Sequence, residues 1–214
     1  QKRFLTWGMV IAVFGMRIVF PLAIVAIAAG LGPVDALQLS LNNPAEYERI
    51  VNSAHVGIAG FGGDDKIYGA NLIDMILGGD GNDELYGAGM ADSMDGGAGD
   101  DVLYGGSEAD SLFGGDGNDR LFGDTGNDVI FGNAGIDTLD GGDGDDTING
   151  GAGVDDLQGG TGNDQFRVQG AEGANDTWNG GAGADRIVNI GNTDLTLTVF
   201  RGLTSSIESL AGGN

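Results

Sequence analysis

A nine-residue period runs without a break from Gly60 to Arg167 and limits the fold of this chain more than any other feature. Twelve units follow one another in register, and two more follow residues 168–170, so that fourteen units end at Val188. The sixth position of every unit is Asp and the eighth is apolar. Six glycine-rich residues suit a tight turn, and the next three have the polar-apolar-variable pattern of a short, half-buried strand. The period therefore predicts a stack of turns and short parallel strands.

Two units return the chain to its starting side, so twelve unbroken units make six coils. With coils about 4.8 Å apart, the roll would be about 29 Å long. The expected fold class is all-β, a parallel β-roll (β-solenoid) of about six to seven coils over residues 60–188. Its core would be one side chain thick per strand, too thin to offset the ordering entropy of so many glycines unaided. One sheet would be lined by Ile67, Leu85, Leu103, Leu121, Leu139 and Leu157, and the other by Ile76, Met94, Leu112, Ile130, Ile148 and Phe166.

The aspartates at the sixth position are the candidate metal ligands. Stacked coils would place them in two rows, in which like charges repel one another. A hard cation that takes six to eight oxygen ligands would convert this repulsion into cross-links, together with backbone carbonyl oxygens. Ca²⁺ suits such a flexible shell better than Mg²⁺, and the repeats contain no histidine or cysteine that would favour zinc. The residues are Asp65, Asp74, Asp83, Asp92, Asp101, Asp110, Asp119, Asp128, Asp137, Asp146, Asp155, Asp164, Asp176 and Asp185.

The charge of the repeats supports the same cation. Residues 60–188 carry 27 acidic and four basic side chains, and the rest of the chain is neutral, so this span holds the whole net charge of −23. Five gaps in each of two rows would give up to about ten Ca²⁺ sites, whose roughly +20 nearly cancels that excess. Nucleic acid is not an expected partner, because its phosphates would be repelled. Site quality should vary, since GANLID, GAGMAD and GGSEAD lack expected glycines, and the stronger stretch runs from Gly114 to Asp164.

The consensus G-G-x-G-x-D-x-U-x is intact in GGDGNDELY, GGDGNDRLF and GGDGDDTIN. It resembles the repeats-in-toxin (RTX, haemolysin-type) family, and the resemblance over residues 60–188 implies a calcium-binding β-roll. Proteases and lipases often carry this repeat as a C-terminal domain. The chain has neither H-E-x-x-H nor G-x-S-x-G, so we expect no enzyme activity.

Residues 1–59 form a hydrophobic, membrane-like N-terminal segment. Residues 5–31 are almost continuously apolar, interrupted by Arg17 and Pro21, and are long enough to cross a bilayer core of about 30 Å. They predict an α-helical transmembrane-like segment; a cleaved signal peptide is the alternative, although its apolar region is usually about 7–15 residues. Lys2 and Arg3 favour a cytoplasmic N-terminus, so the repeats would lie outside, in an extracellular or cell-surface location.

Residues 1–63 also resemble a stretch of an uncharacterised bacterial integral-membrane family related to the tellurium-resistance TerC proteins. The likeness is closest at IAVFGMR, LGPVDAL and SAHVGIAGFGG. The acidic intramembrane motif expected upstream is absent, so no functional residue is carried over, and the single histidine, His55, is interpreted as structural. The likeness ends at residues 61–63, where the sequence is either a true fusion or a chimeric or frame-disrupted reading.

Aromatic residues recur at the ninth position. Tyr68, Tyr86, Tyr104 and Phe122 should form one outward column, with Phe113 and Phe131 on the opposite sheet. The column is a candidate surface for self-association or a protein partner, but we favour rings that stack and stabilise the roll. Residues 189–214 contain alternating apolar residues and predict a C-terminal β cap.

Together these features predict a roll that folds on binding Ca²⁺ and acts as an exported or membrane-tethered structural or interaction module. Two alternatives stay open. The chain could be a fragment of a membrane metal-ion transporter-like protein with appended repeats, or a detached RTX domain of a secreted hydrolase.

Overall fold

The computed structural model describes residues 57–169 and 175–191 and the backbone of residues 207–211. This part of the chain forms two sheets. One contains, in spatial order, β1 (Gly57–Gly62), β3 (Met75–Asp80), β5 (Ser93–Ala98), β7 (Ser111–Asp116), β9 (Val129–Gly135), β11 (Thr147–Gly153), β13 (Gln165–Val168), β15 (Asp185–Asn189) and β16 (Ile207–Ala211). The other contains, in sequence order, β2 (Lys66–Tyr68), β4 (Glu84–Gly89), β6 (Val102–Ser107), β8 (Arg120–Thr125), β10 (Thr138–Asp143), β12 (Asp156–Thr161) and β14 (Thr177–Ala182).

Every neighbouring pair of strands is parallel, and partners in the unbroken repeats are eighteen residues apart. Leu103 lies opposite Leu121 in one sheet, and Met94 lies opposite Leu112 in the other. These pairs confirm the predicted parallel β-solenoid, which has about seven coils, and the predicted division of the apolar residues between the sheets. The eighth-position side chains form one continuous core, in which most are completely buried.

The three extra residues after Arg167 do not disturb the stack. Across this interruption the spacing becomes 21 residues, with Leu157 opposite Trp178 and Phe166 opposite Ile187. Val168 is buried and extends the core. The two units beyond the interruption therefore add a seventh coil in register.

Most strands are longer than the three residues that the repeat predicts. A typical strand has six residues and runs from the seventh position of one unit through the third position of the next, as in β6 and β7. The sixth, eighth and first positions face inward, because side chains alternate along an extended chain. The glycine-rich residues join the strands because they pair with the next coil, as Gly79 pairs with Gly97.

The limits of the roll also differ from the prediction. The first strand begins at Gly57 rather than at residue 60, because Ile58 lies opposite Ile76 and is buried as an eighth-position residue would be. In the predicted cap, Ile207–Ala211 forms β16 and pairs with β15, whereas residues 192–206 and 212–214 lie outside the described residues. The transmembrane candidate at residues 5–31 and His55 also lie outside them. No helix within the described ranges is long and apolar enough to span a bilayer.

Candidate metal centre

The fourteen aspartates at the sixth position form two rows inside the edges of the roll. All are buried except Asp65, which is partly exposed. Within a row, the backbone N–H of one aspartate donates to Oδ1 of the aspartate in the next coil, as Asp101 N does to Asp119 Oδ1 at 2.8 Å. One row contains Asp65, Asp83, Asp101, Asp119, Asp137, Asp155 and Asp176. The other contains Asp74, Asp92, Asp110, Asp128, Asp146, Asp164 and Asp185.

The turn that precedes each aspartate sets its inward direction. The fourth residue of the unit usually has a left-handed conformation, as at Gly117 with φ of 140°. Met90 and Glu108 adopt positive φ at the same position without being glycine, with values of 73° and 77°. The turns that contain them therefore keep this feature despite their irregular sequences, at a backbone cost of about 1–2 kcal/mol each.

In eleven of these carboxylates the second oxygen, Oδ2, is buried and has no hydrogen-bond donor. It points towards the glycine that begins its own unit. At Gly105, for example, an added Cβ would lie 2.6 Å from Asp110 Oδ2 and 2.8 Å from the carbonyl oxygen of Gly123. A carboxylate oxygen and a carbonyl oxygen of the next coil thus approach the same point. The unpartnered oxygens are Oδ2 of Asp65, Asp83, Asp92, Asp101, Asp110, Asp119, Asp128, Asp137, Asp146, Asp155 and Asp164.

Burial disfavours the charged form of most of these side chains. At ten of them desolvation, reinforced by neighbouring acidic residues and opposed by the N–H donor, raises the carboxyl pKa to about 6 or about 7. The pKa is about 6 at Asp83, Asp119 and Asp146, and about 7 at Asp92, Asp101, Asp110, Asp128, Asp137, Asp164 and Asp176. At neutral pH each row therefore favours a proton or a cation that would compensate its charge.

The donor set fits calcium in its chemistry. Unpartnered carboxylate oxygens and nearby glycine carbonyl oxygens are the ligands that Ca²⁺ prefers. Among the described side chains, no three acidic or histidine residues come close enough to hold a metal ion by themselves. That backbone carbonyl oxygens complete the sites, and that there are about ten sites, stay predictions.

A second set of hydrogen bonds, which the period does not predict, lies beside each aspartate row. At the fifth position, Asn or Asp Oδ1 accepts the backbone N–H of the fifth residue in the next coil. Asp100 N donates to Asn82 Oδ1 at 2.8 Å, and Ile136 N donates to Asn118 Oδ1 at 2.9 Å. The signal was present in the sequence as recurrent Asn and Asp at this position. The acceptors are Asp64, Asn82, Asp100 and Asn118 on one edge, and Asn127, Asp145 and Asn163 on the other.

The aromatic residues stack in the two columns that the sequence predicts. Ring centroids are 4.6 Å apart for Tyr68 and Tyr86, and 5.0 Å for Tyr104 and Phe122, with nearly parallel planes. In the opposite sheet, Phe113 and Phe131 stack with their ring centroids 5.4 Å apart. The rings cover one another's faces, which supports a stabilising role; a protein partner at this column stays a prediction.

Two different family models match the N-terminal segment and the repeats. The family model described as RTX calcium-binding nonapeptide repeat (4 copies) matches residues 68–103, 95–130, 104–139, 131–166 and 171–188. The model described as protein of unknown function (DUF475) matches residues 1–68. The predicted relation of the N-terminal segment to TerC proteins stays a prediction. No match to a curated protein was found.

Proposed function

Because this chain belongs to the family of RTX calcium-binding nonapeptide repeat proteins, we propose that its calcium binding drives the folding of the roll. Calcium binding itself follows from the family and from the β-roll. The coupling to folding is the further step. A site that exists only in the folded coil adds its binding free energy to the stability of the fold.

One observation carries this proposal: the buried Oδ2 atoms that lack a donor. A buried polar atom without a partner costs about 1–3 kcal/mol, and a charged one costs more. This cost recurs at eleven aspartates. A core one side chain thick cannot readily offset it, so the metal-free roll should be unstable at neutral pH.

The proposed ligands are the fourteen aspartates of the two rows together with backbone carbonyl oxygens. The ion would supply positive charge and coordination, and the protein would supply oxygens at a fixed coil spacing. Asp128 and Asp146 are two successive members of a row, in which the backbone N–H of Asp128 donates to Oδ1 of Asp146 at 2.8 Å. Up to about ten ions would balance most of the charge of the repeats.

For the cell, we propose an exported or membrane-tethered structural or interaction module. The apolar run at residues 5–31 supports a tether, and the acidic repeats support a calcium-rich compartment. Cytosolic calcium would be too low to order the roll, whereas millimolar external calcium would order it by mass action.

Circular dichroism tests the coupling of folding to calcium. The purified full chain in a chelator should show little strand signal from the repeats, and Ca²⁺ should restore it in a saturable manner. Mg²⁺ at the same concentration is the control and should restore much less, because it demands a rigid octahedral shell. A spectrum that does not change at about 10 mM Ca²⁺, a concentration that saturates weak extracellular sites, would refute the proposal.

Membrane fractionation tests the tether separately. The full chain should remain in the membrane pellet after an alkaline carbonate wash, while a chain that starts at residue 57 should be released. Release of the full chain would refute the proposed tether, and it would not bear on calcium-driven folding.

A further inference from the structure

An apolar patch covers part of the outer surface of the first coil. We call it the first-coil patch. Its five side chains are 40–50% exposed, which is unusual for large apolar residues in a domain of this charge. They are Phe61, Ile73, Met75, Leu77 and Met90.

The strand register makes this patch continuous. Ile73, Met75 and Leu77 alternate along the chain, so that their side chains leave the same side of the first coil. Phe61 lies on the neighbouring strand β1, opposite Gly79 and therefore diagonal to Leu77. Met90 occupies the turn of the next coil on the same edge.

On the sheet the patch ends at the first coil, and Met90 in the adjoining turn is the only member that belongs to the next coil. In the next coil, the partner of Met75 is Ser93 and the partner of Leu77 is Asp95. The unit that contains Ile73 also lacks the glycines expected at its second and fourth positions, where it has Ala70 and Leu72. At this coil the sequence therefore replaces part of the calcium-binding consensus with apolar surface, which indicates that something covers it.

We propose that residues 38–56 of the same chain dock on the first-coil patch and cover the N-terminal end of the roll. The chain enters the roll at Gly57, in β1, directly beside the patch. Nineteen residues are ample to reach it, at about 3.3 Å per extended residue. The segment contains Leu39, Leu41, Ile50 and Val51 and carries a net charge of only −1.

Charge favours this occupant over a second copy or a lipid surface. Two rolls that each carry −23 repel one another, and an anionic bilayer repels the roll as well. A tethered segment needs no encounter, because its effective concentration is in the millimolar range. In addition, Ile58 in β1 and Ile67 in β2 are only 5% exposed. Each belongs to the N-terminal end strand of its sheet, and no described strand covers it on the outer side.

Hydrogen exchange on the full chain with saturating Ca²⁺ tests the docking. The double variant Met75→Ser with Leu77→Ser removes apolar surface from the patch. It should speed exchange of the amides in residues 38–56 at least about tenfold and leave residues 93–166 protected. Ile136→Ser with Val154→Ser is the matched control, because both residues are exposed apolar side chains outside the patch. This control should leave residues 38–56 unchanged.

A second measurement probes the same contact from the other side. The chain has no cysteine, so Met75→Cys creates a unique thiol. Ile50→Ser with Val51→Ser should speed labelling of this thiol about tenfold.

Three results would overturn the proposal. The first is free exchange of residues 38–56 in the parent chain. The second is a dimer in sedimentation that Met75→Ser with Leu77→Ser dissociates while exchange in residues 38–56 stays fast, which would assign the patch to a second copy. The third is protection of the thiol that occurs only with phosphatidylcholine vesicles, which would assign the patch to lipid.

Discussion

Replacing Asp128 by Asn should change the stability of the roll in opposite directions with and without calcium. Oδ1 of Asp128 accepts the N–H of Asp110 at 2.7 Å, and Asn retains this acceptor. Oδ2 has no donor and is buried beside Gly123, where the carbonyl oxygen of Gly141 also approaches. An amide removes the charge from this position and brings an N–H that the Gly141 carbonyl can accept.

The size of the effect follows from the buried oxygen. Leaving such an acceptor unpaired costs about 1–3 kcal/mol, so the metal-free roll of Asp128→Asn should gain stability of this order at pH 7.5. With calcium, the variant lacks one charged ligand. The calcium concentration at half-folding should rise, by about tenfold for each 1.4 kcal/mol of binding that is lost.

Two titrations of the full chain measure these opposite shifts by circular dichroism. One uses Ca²⁺. The other is done in a chelator and uses trimethylamine N-oxide, an osmolyte that favours compact states without metal. Asp116→Asn removes the same charge from an exposed third position and serves as the control. If Asp128→Asn needs more osmolyte than the parent chain, or if the two variants behave alike, the buried carboxylate is not the source of calcium dependence.

Three further predictions concern the backbone bonds, the glycines and pH. Asn118→Ala removes the acceptor for Ile136 N and the donor to Asp100 Oδ1, and should cost about 1 kcal/mol with calcium present, measured by urea unfolding; Asp116→Asn, an exposed change that touches neither bond, should cost less. Gly105→Ala would place a Cβ 2.6 Å from Asp110 Oδ2 and should destabilise the calcium-bound roll by about 1–3 kcal/mol, whereas Gly62→Ala, with its nearest atom at 3.8 Å, should be tolerated in the same assay. In a chelator, the strand signal should grow as the pH falls from about 8 to about 5. Burial raises most inward carboxyl pKa values to about 6 or about 7, so the folded state binds protons more tightly than the unfolded state does. The stability that this proton binding contributes is lost as the pH rises through those values.

The sequence predicts the parts of this fold that repeat in phase. Asp at the sixth position and an apolar residue at the eighth are two residues apart, so both face inward on an extended chain. This spacing predicts the opposition of Leu103 and Leu121 and the row that contains Asp101 and Asp119. Stacking identical units leaves little choice of register, because a slip would move every core residue to the surface.

Other features depend on contacts that one unit cannot reveal. Glycine at the first and second positions suggests a turn by local preference, yet pairing with the next coil extends the strands through the third position. The first residue of the roll cannot be predicted from the period for a similar reason. Ile58 takes an eighth-position place in the core, but Val56 stands where the repeat would have Asp, so the period is not visible there.

The two oxygens of each sixth-position carboxylate differ in role, which would couple calcium binding to the stacking of the coils. Oδ1 of Asp119 holds the backbone of the preceding coil through Asp101 N, while Oδ2 is available to an ion. An ion at Oδ2 would fix the rotamer that also presents Oδ1, so binding in one gap should order the next aspartate in the row. Each coil then contacts only its neighbours, and stability should be a sum of coil and interface terms. A defect in the middle of a row should therefore divide the roll into two shorter cooperative units, whereas the same defect at an end should only shorten it.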